Sequence, residues 1–217
     1  MADSTPKRPT GSASPEQNQW LFAHALLFTG HMIDSPDRRR ARFPTWAENR
    51  ARDAIHAAIA GLQWMQPGPT IGLAGGASGG DLLFHECCHQ LGIATRVLLG
   101  LPPQKFEATS VAPAGPGWVM RFHTLLDKAA AGLYVMQKSD GLLEGATDNI
   151  WQRANLWMIE ESGRLAPERA LLALWDGKTG DGPGGTEHFL RAAARCGIRI
   201  LPPIEMQTML QSGTKSG

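Results

Sequence analysis

Short, uninterrupted apolar runs recur along this chain, and each gives way to glycines or polar residues before a stretch of helical period. The clearest is Thr70-Ile71-Gly72-Leu73-Ala74, which runs into Gly75-Gly76-Ala77-Ser78-Gly79-Gly80 and then a helical pattern over 81–91. Others lie at 25–28, 133–136 and 170–175, and the strands expected at 94–99 and 198–201 are apolar apart from Thr95, Arg96 and Arg199. A strand wet on one side alternates polar with apolar residues, whereas a run that is apolar throughout belongs to a strand covered on both faces. Helical spacing between the runs supplies the cover, as in Ala47, Ala51, Ala54, Ile55, Ala58 and Ile59. The expected fold class is therefore α/β: a three-layer, Rossmann-like, doubly wound and mostly parallel sheet with helices on both faces.

With 217 residues the chain suits one domain with tails. Residues 1–19 are rich in Ser, Thr, Pro and Gly and read as a disordered tail. The domain is expected over 20–204, with a flexible tail over 205–217. The stretch 104–117 lacks periodicity and reads as a long loop, as does 137–148. A net charge of +1 argues against a partner that is nucleic acid or an anionic membrane surface. No apolar run reaches spanning length. Of three cysteines, Cys87 and Cys88 are adjacent and Cys196 is remote, which fits a reducing, cytoplasmic location better than a disulfide framework.

Open sheets of this kind bind ligands outside the carboxyl ends of their strands. Polar or glycine-rich loops follow Phe28, Ala74, Leu99, Met136 and Trp175, all at such ends. Two are glycine-rich. One is Gly75 to Gly80; the other is Asp176-Gly177-Lys178-Thr179-Gly180-Asp181-Gly182-Pro183-Gly184-Gly185, with Thr186 opening a helix. Glycines let backbone approach an anion, and first-turn amides of the helix point at it. Thr186 is placed to cap that helix and to offer its hydroxyl to the same ligand. Two such loops on one pocket predict a site for a phosphorylated small molecule.

The first loop, Ile71 to Asp81 followed by a helix and a strand, resembles the strand–glycine turn–helix of DprA-like Rossmannoids. Gly182-Pro183-Gly184-Gly185-Thr186-Glu187 is similar to the Pro-Gly-Gly-x-Gly-Thr signature of the lonely-guy (LOG) phosphoribohydrolases. Both groups belong to the SLOG superfamily of nucleotide-binding domains. Thr29-Gly30-His31, Arg121-Phe122, Ala154-Asn155 and Trp175-Asp176-Gly177 resemble a bacterial branch of it, and the likeness spans about residues 24–201. The resemblance implies a pocket for a nucleotide or nucleotide-derived ligand such as a nucleoside phosphate, NAD or ADP-ribose, used for sensing. It also implies a homodimer and, as an alternative activity, N-glycosidic hydrolysis assisted by an Arg and a Glu near the loop. Here the loop lacks the intervening glycine, and Glu187 follows Thr186 directly.

On these grounds the expected ligand contacts are Gly30, His31, Gly75, Gly76, Ser78, Gly79, Gly80, Asp81, Asn155, Asp176, Gly177, Gly182, Gly184, Gly185 and Thr186. Hydrolysis would need a carboxylate near the anomeric carbon and an acid for the leaving base. Glu86 and Glu187, with Arg121 for a phosphate, are the catalytic candidates. Each residue also has a plain reading. Asp81 fits a helix N-terminal acid, Asp176 a turn, Arg121 a surface salt bridge, His31 a loop anchor and Asn155 a bond to a neighbouring loop. Arg38-Arg39-Arg40 fits a solvated run as well as a mobile phosphate contact. Trp118 or Trp151 would stack on a base. His85-Glu86-Cys87-Cys88-His89 matches His-Glu-x-x-His, the zinc-hydrolase spacing, without a third ligand at a recognised interval. No metal and no cofactor is assigned.

Overall fold

A computed structural model describes residues 20–128, 132–136, 149–178 and 184–213. The expected tail over 1–19 and loop over 137–148 lie outside the described residues, as does Gly182. Seven strands form one sheet: β1 His24–Gly30, β2 Thr70–Ala74, β3 Ala94–Leu99, β4 Leu133–Val135, β5 Glu168–Trp175, β6 Arg199–Ile200 and β7 Ile204–Glu205. Their order is β4-β3-β2-β1-β5-β6, with β7 also on β5. Every strand pairing described is parallel. β6 faces Ala170 and Leu171 while β7 faces Leu174 and Trp175, so the edge is one line broken at Pro202 and Pro203, which have no N–H to give a ladder.

Among the described residues seven α-helices cover the sheet: α1 Glu48–Ala60, α2 Gly80–Gln90, α3 Pro103–Ser110, α4 Pro116–Lys128, α5 Ile150–Leu165, α6 Thr186–Arg195 and α7 Met206–Gly213. The side-chain alternation of the central strands sorts them into two layers. Leu26 and Phe28 of β1 meet Ala51 and Ile55 of α1, Phe84 of α2, Phe122 of α4 and Met206 of α7 in one core. Ala25 and Leu27 look the other way, onto Leu156 of α5 and Phe189 of α6. Residues His24 to Phe28 are all within 1% of full burial, which is why β1 shows no polar alternation. Its Leu27 stands opposite Leu73 on one side and Leu171 on the other.

Two segments differ from expectation. The stretch 104–117 holds α3 and the start of α4 instead of a loop. Pro103 at the first helical position suits a helix start, and Phe106 and Ser110, one turn apart, are buried. A helix with so few apolar positions leaves too little periodicity to see. The C-terminal stretch taken as a loose tail contains α7, fastened by fully buried Met206 and by Gln207 Nε2, which donates to Asp176 O at 3.0 Å. No helix among the described residues is long and apolar enough to cross a membrane.

Candidate functional site

β1 has β2 on one side and β5 on the other, so connections leave the sheet centre in opposite directions and a crevice opens above it. A cavity of about 600 Å³ occupies that place, within the range of small-molecule sites. Its floor is the strand ends: Phe28 to Gly30, Gly75, and Leu98 with Gly100. α5 gives Trp151, Ala154, Asn155 and Met158, and α3 gives Phe106, Thr109 and Ser110. Gly184, Gly185 and Thr186 stand at the α6 end, and His31, Arg38 and Arg42 come from the loop after β1. The two glycine loops thus border one cavity.

They contribute differently. Gly185 is the N-cap of α6 and has no side chain to bond the first turn, and Thr186 lies inside the helix and makes no cap. The first-turn amides have no intrahelical acceptors by geometry, and they open beside the cavity. Asn155 Nδ2 holds the loop by donating to Gly184 O at 2.8 Å. Gly184 has φ +96°, and a Cβ there would come within 2.6 Å of Trp151 Cβ, so glycine is required by both conformation and space.

The loop over 75–80 was expected to cradle a phosphate with its amides, and half of those amides are already engaged. Ser78 N donates to Ser110 O at 2.9 Å, Gly80 N to His31 O at 3.0 Å, and Ala77 N to Asp81 Oδ2 at 3.3 Å. Gly79, at φ +96°, lets residues 31–33 approach: a Cβ would sit 2.4 Å from Ile33 N. Gly76 faces Phe122. Of this loop only Gly75 and Ala77, with Asp81 just beyond, reach the cavity; Gly76, Ser78, Gly79 and Gly80 do not. Gly79 serves packing of the loop after β1, and Gly76 and Gly80 the close approach of Phe122 and of the end of β1.

That loop brings the cations. Asp34 Oδ2 accepts Arg42 N at 2.8 Å and Phe43 N at 3.0 Å, which folds 34–43 back on itself, and Arg38 Nε lies 3.3 Å from Asp34 Oδ1. Arg42 Nε lies 3.6 Å from Asp176 Oδ2. His31 Nε2 accepts the Asp176 N–H at 3.1 Å. Burial raises the Asp176 carboxyl, but the Lys178 N–H, His31 and Arg42 outweigh it and hold the group below its ordinary value. Asp176 therefore stands behind His31 and outside the cavity lining, while Gly177 makes an exposed turn at φ +72°. Arg42 carried no local signal in the sequence, since its placement depends on Asp34 and on the end of β5.

The three catalytic candidates are elsewhere. Arg121 donates from Nε and Nη2 to the two oxygens of Glu86, each at 2.7 Å, and from Nη1 to Glu48 Oε1 at 2.9 Å. Its guanidinium lies 3.9 Å from the Trp118 ring centroid. This salt-bridged cluster on α1, α2 and α4 pairs its three charges with one another, and none of its residues lines the cavity. Glu187 pairs with Arg191 one turn along α6. The plain reading of Arg121 is the observed one, and Trp151, not Trp118, lines the cavity.

In the His-Glu-x-x-His stretch, His85 turns inward and its Nε2 donates to Gly75 O at 2.9 Å. Burial pushes its pKa down to about 4, against the pull of that carbonyl. His89 lies at the far end beside Thr95 Oγ1, at 3.3 Å. The pair does not converge, and no group of three metal-ligating side chains occurs among the described residues. Asp81, in contrast, is a cavity carboxyl whose pKa burial pushes up to about 7, although the Ala77 N–H acts to lower it.

Among the expected ligand contacts, the structure brings together Gly30, His31, Gly75, Asp81, Asn155, Gly184, Gly185 and Thr186 around one space. Compared with family models and with curated proteins, the chain matches none.

Proposed function

We propose that the cavity binds a nucleotide or nucleotide-derived ligand, such as a nucleoside phosphate, NAD or ADP-ribose, as the sensing site of a SLOG-type domain. The observation that carries this reading is that the first turn of α6, whose amides have no intrahelical acceptors, and Arg42 border the same cavity at the point where the strand order reverses. A phosphate on those amides gains from the helix dipole and from the positive charge of the neighbouring guanidinium. From β5 across β1 and β2 to β3 is about 14 Å at ordinary strand spacing, the length scale of a nucleoside phosphate. Phe106 and Trp151 meet edge to face at 6.0 Å, and they offer an apolar wall for a base. The reading extends, as the resemblance implies, to a cytoplasmic homodimer.

Sensing is preferred over N-glycosidic hydrolysis because Glu86, Glu187 and Arg121 are committed to ion pairs away from the cavity. Hydrolysis of a base from any nucleotide tried would reverse that preference. The zinc alternative has its first histidine bonded to Gly75. The binding test is a thermal-shift series with nucleoside monophosphates, NAD and ADP-ribose. Saturation at about 100 Kd adds about 2.7 kcal/mol, a rise of about 5–10 °C for a chain of this size. Arg42→Ala should abolish the rise and lower the ligand-free midpoint only slightly. No shift with any of these ligands would refute the proposal.

A further inference from the structure

We infer that Asp81 is the specificity-determining residue of this cavity, receiving the vicinal hydroxyls of a ribose whose phosphate rests on α6; this builds on the nucleotide reading above. Among the described lining residues Asp81 is the one carboxylate. It projects from the first turn of α2 toward Gly75, where a Cβ would stand 2.7 Å from Asp81 Oδ2, so the glycine makes room for the carboxyl. The Ala77 N–H, at 3.3 Å, is its one hydrogen bond among the described residues, and no cation there pairs with it. A sheltered carboxylate ordinarily has several donors or an Arg. Here the remaining acceptor capacity faces the cavity, beside the apolar Leu98 and Phe106.

The occupant must supply those donors. An anion at Asp81 is repelled, so the phosphate belongs at the other end, with Arg42 and the α6 amides. The polarity of the ligand follows: anion over β5, donors over β2. Two strand spacings, about 10 Å, separate these ends, and a 5′-phosphorylated ribose bridges them once a hydrogen bond is added on each side. Two oxygens in one plane suit two neighbouring hydroxyls better than a single base amine. The base then lies toward Phe106 and Trp151.

The charges around Asp81 allow a pH signature. His31, Arg38 and Arg42 face the same cavity, and none is paired with it. On its own helix His85 is kept neutral by burial. Glu48 and Arg52 of α1 and Arg121 of α4 group around Glu86, more than a turn further along α2, and His89 lies beside Thr95 of β3. Hydroxyl donors favour the ionised carboxyl, so diol binding strengthens as pH rises through about 7.

The test is calorimetric titration with the four ribonucleoside 5′-monophosphates and their 2′,3′-dideoxy counterparts, at about pH 6 and about pH 8.5. The second ionisation of the phosphate, near pH 6, acts equally on both members of a pair. The wild-type protein should prefer the diol by about tenfold at the higher pH, the effect of losing a bond to a charged group, and less at the lower. Asp81→Asn keeps the shape and the bond from Ala77, and should bring the preference to within about twofold without weakening the dideoxy ligand. If that variant does not fold, the pH dependence of the wild-type preference decides. Equal affinity for both members at the higher pH, or an Asn variant that keeps the preference, overturns the role of Asp81 and leaves nucleotide binding standing. No binding of any nucleotide overturns both.

Discussion

On α2, two side chains, His85 fully buried and Asp81 half-buried at the cavity wall, titrate with opposite consequences for stability. Asp81 has its pKa raised by burial from an ordinary 3.8 to about 7. The folded state holds that proton more tightly than the unfolded chain, so the stabilisation is whole below about 3.8 and is lost as pH rises to about 7. His85 has its pKa lowered by burial from 6.5 to about 4. Its stabilisation is whole above 6.5 and is lost as pH falls toward 4. Between those limits the two effects oppose each other, and the wild-type curve alone would hide both. Asp81→Asn removes one. The melting midpoint of the variant minus that of the wild type should climb from about pH 4 to about pH 7 and then level off in calorimetric scans. A difference that stays flat across that range would show that Asp81 is not sheltered as described. An acid whose ionisation costs stability at neutral pH suits a site kept for a ligand and not for folding.

At the scale of elements, the junction of α5 with the loop before α6 sets the cavity's anion end. Asn149 caps α5 by accepting Trp151 N and Gln152 N, and Asn155 nearly two turns on holds Gly184. Gly184→Ala forces both a left-handed alanine and a contact with Trp151 and the Gln152 backbone. It should cost about 2–4 kcal/mol in denaturant unfolding. Gly177→Ala, also at positive φ but with nothing within 4 Å, should cost about 1 kcal/mol. Equal costs would mean that the close packing at Gly184 is immaterial. The contrast also explains what was legible in the sequence. Residues 25–28 could be seen as a strand because burial on both faces demands apolar side chains throughout, and they fall within β1. α3 and α7 could not, because each is held by one or two buried residues and by partners far along the chain. Both glycine loops were visible, but not what their glycines admit. Gly79 makes way for residues 31–33 and Gly80 for Gly30 and Phe28, contacts that exist only after folding. Arg42 was invisible for the same reason, and Arg121 misled because its bidentate partner is Glu86 and not a phosphate.

For the molecule as a whole, the doubly wound order has one physical consequence that matters for function. Helices α5 and α6 cover one face, α1 to α4 with α7 cover the other, and the two layers part at the carboxyl ends of β1 and β5. Everything assigned to the ligand lies in that gap: positive groups over β5, an acid over β2, an aromatic wall between α3 and α5. The most direct test is amide chemical-shift mapping of the isotopically labelled protein titrated with ADP-ribose and with nucleoside monophosphates. The account predicts saturable shifts concentrated at Gly30, Gly75, Gly184 to Glu187 and the indole of Trp151, with Glu86 and Arg121 unmoved. Saturable shifts centred on the Glu86–Arg121 cluster, or none at all at millimolar ligand, would contradict it.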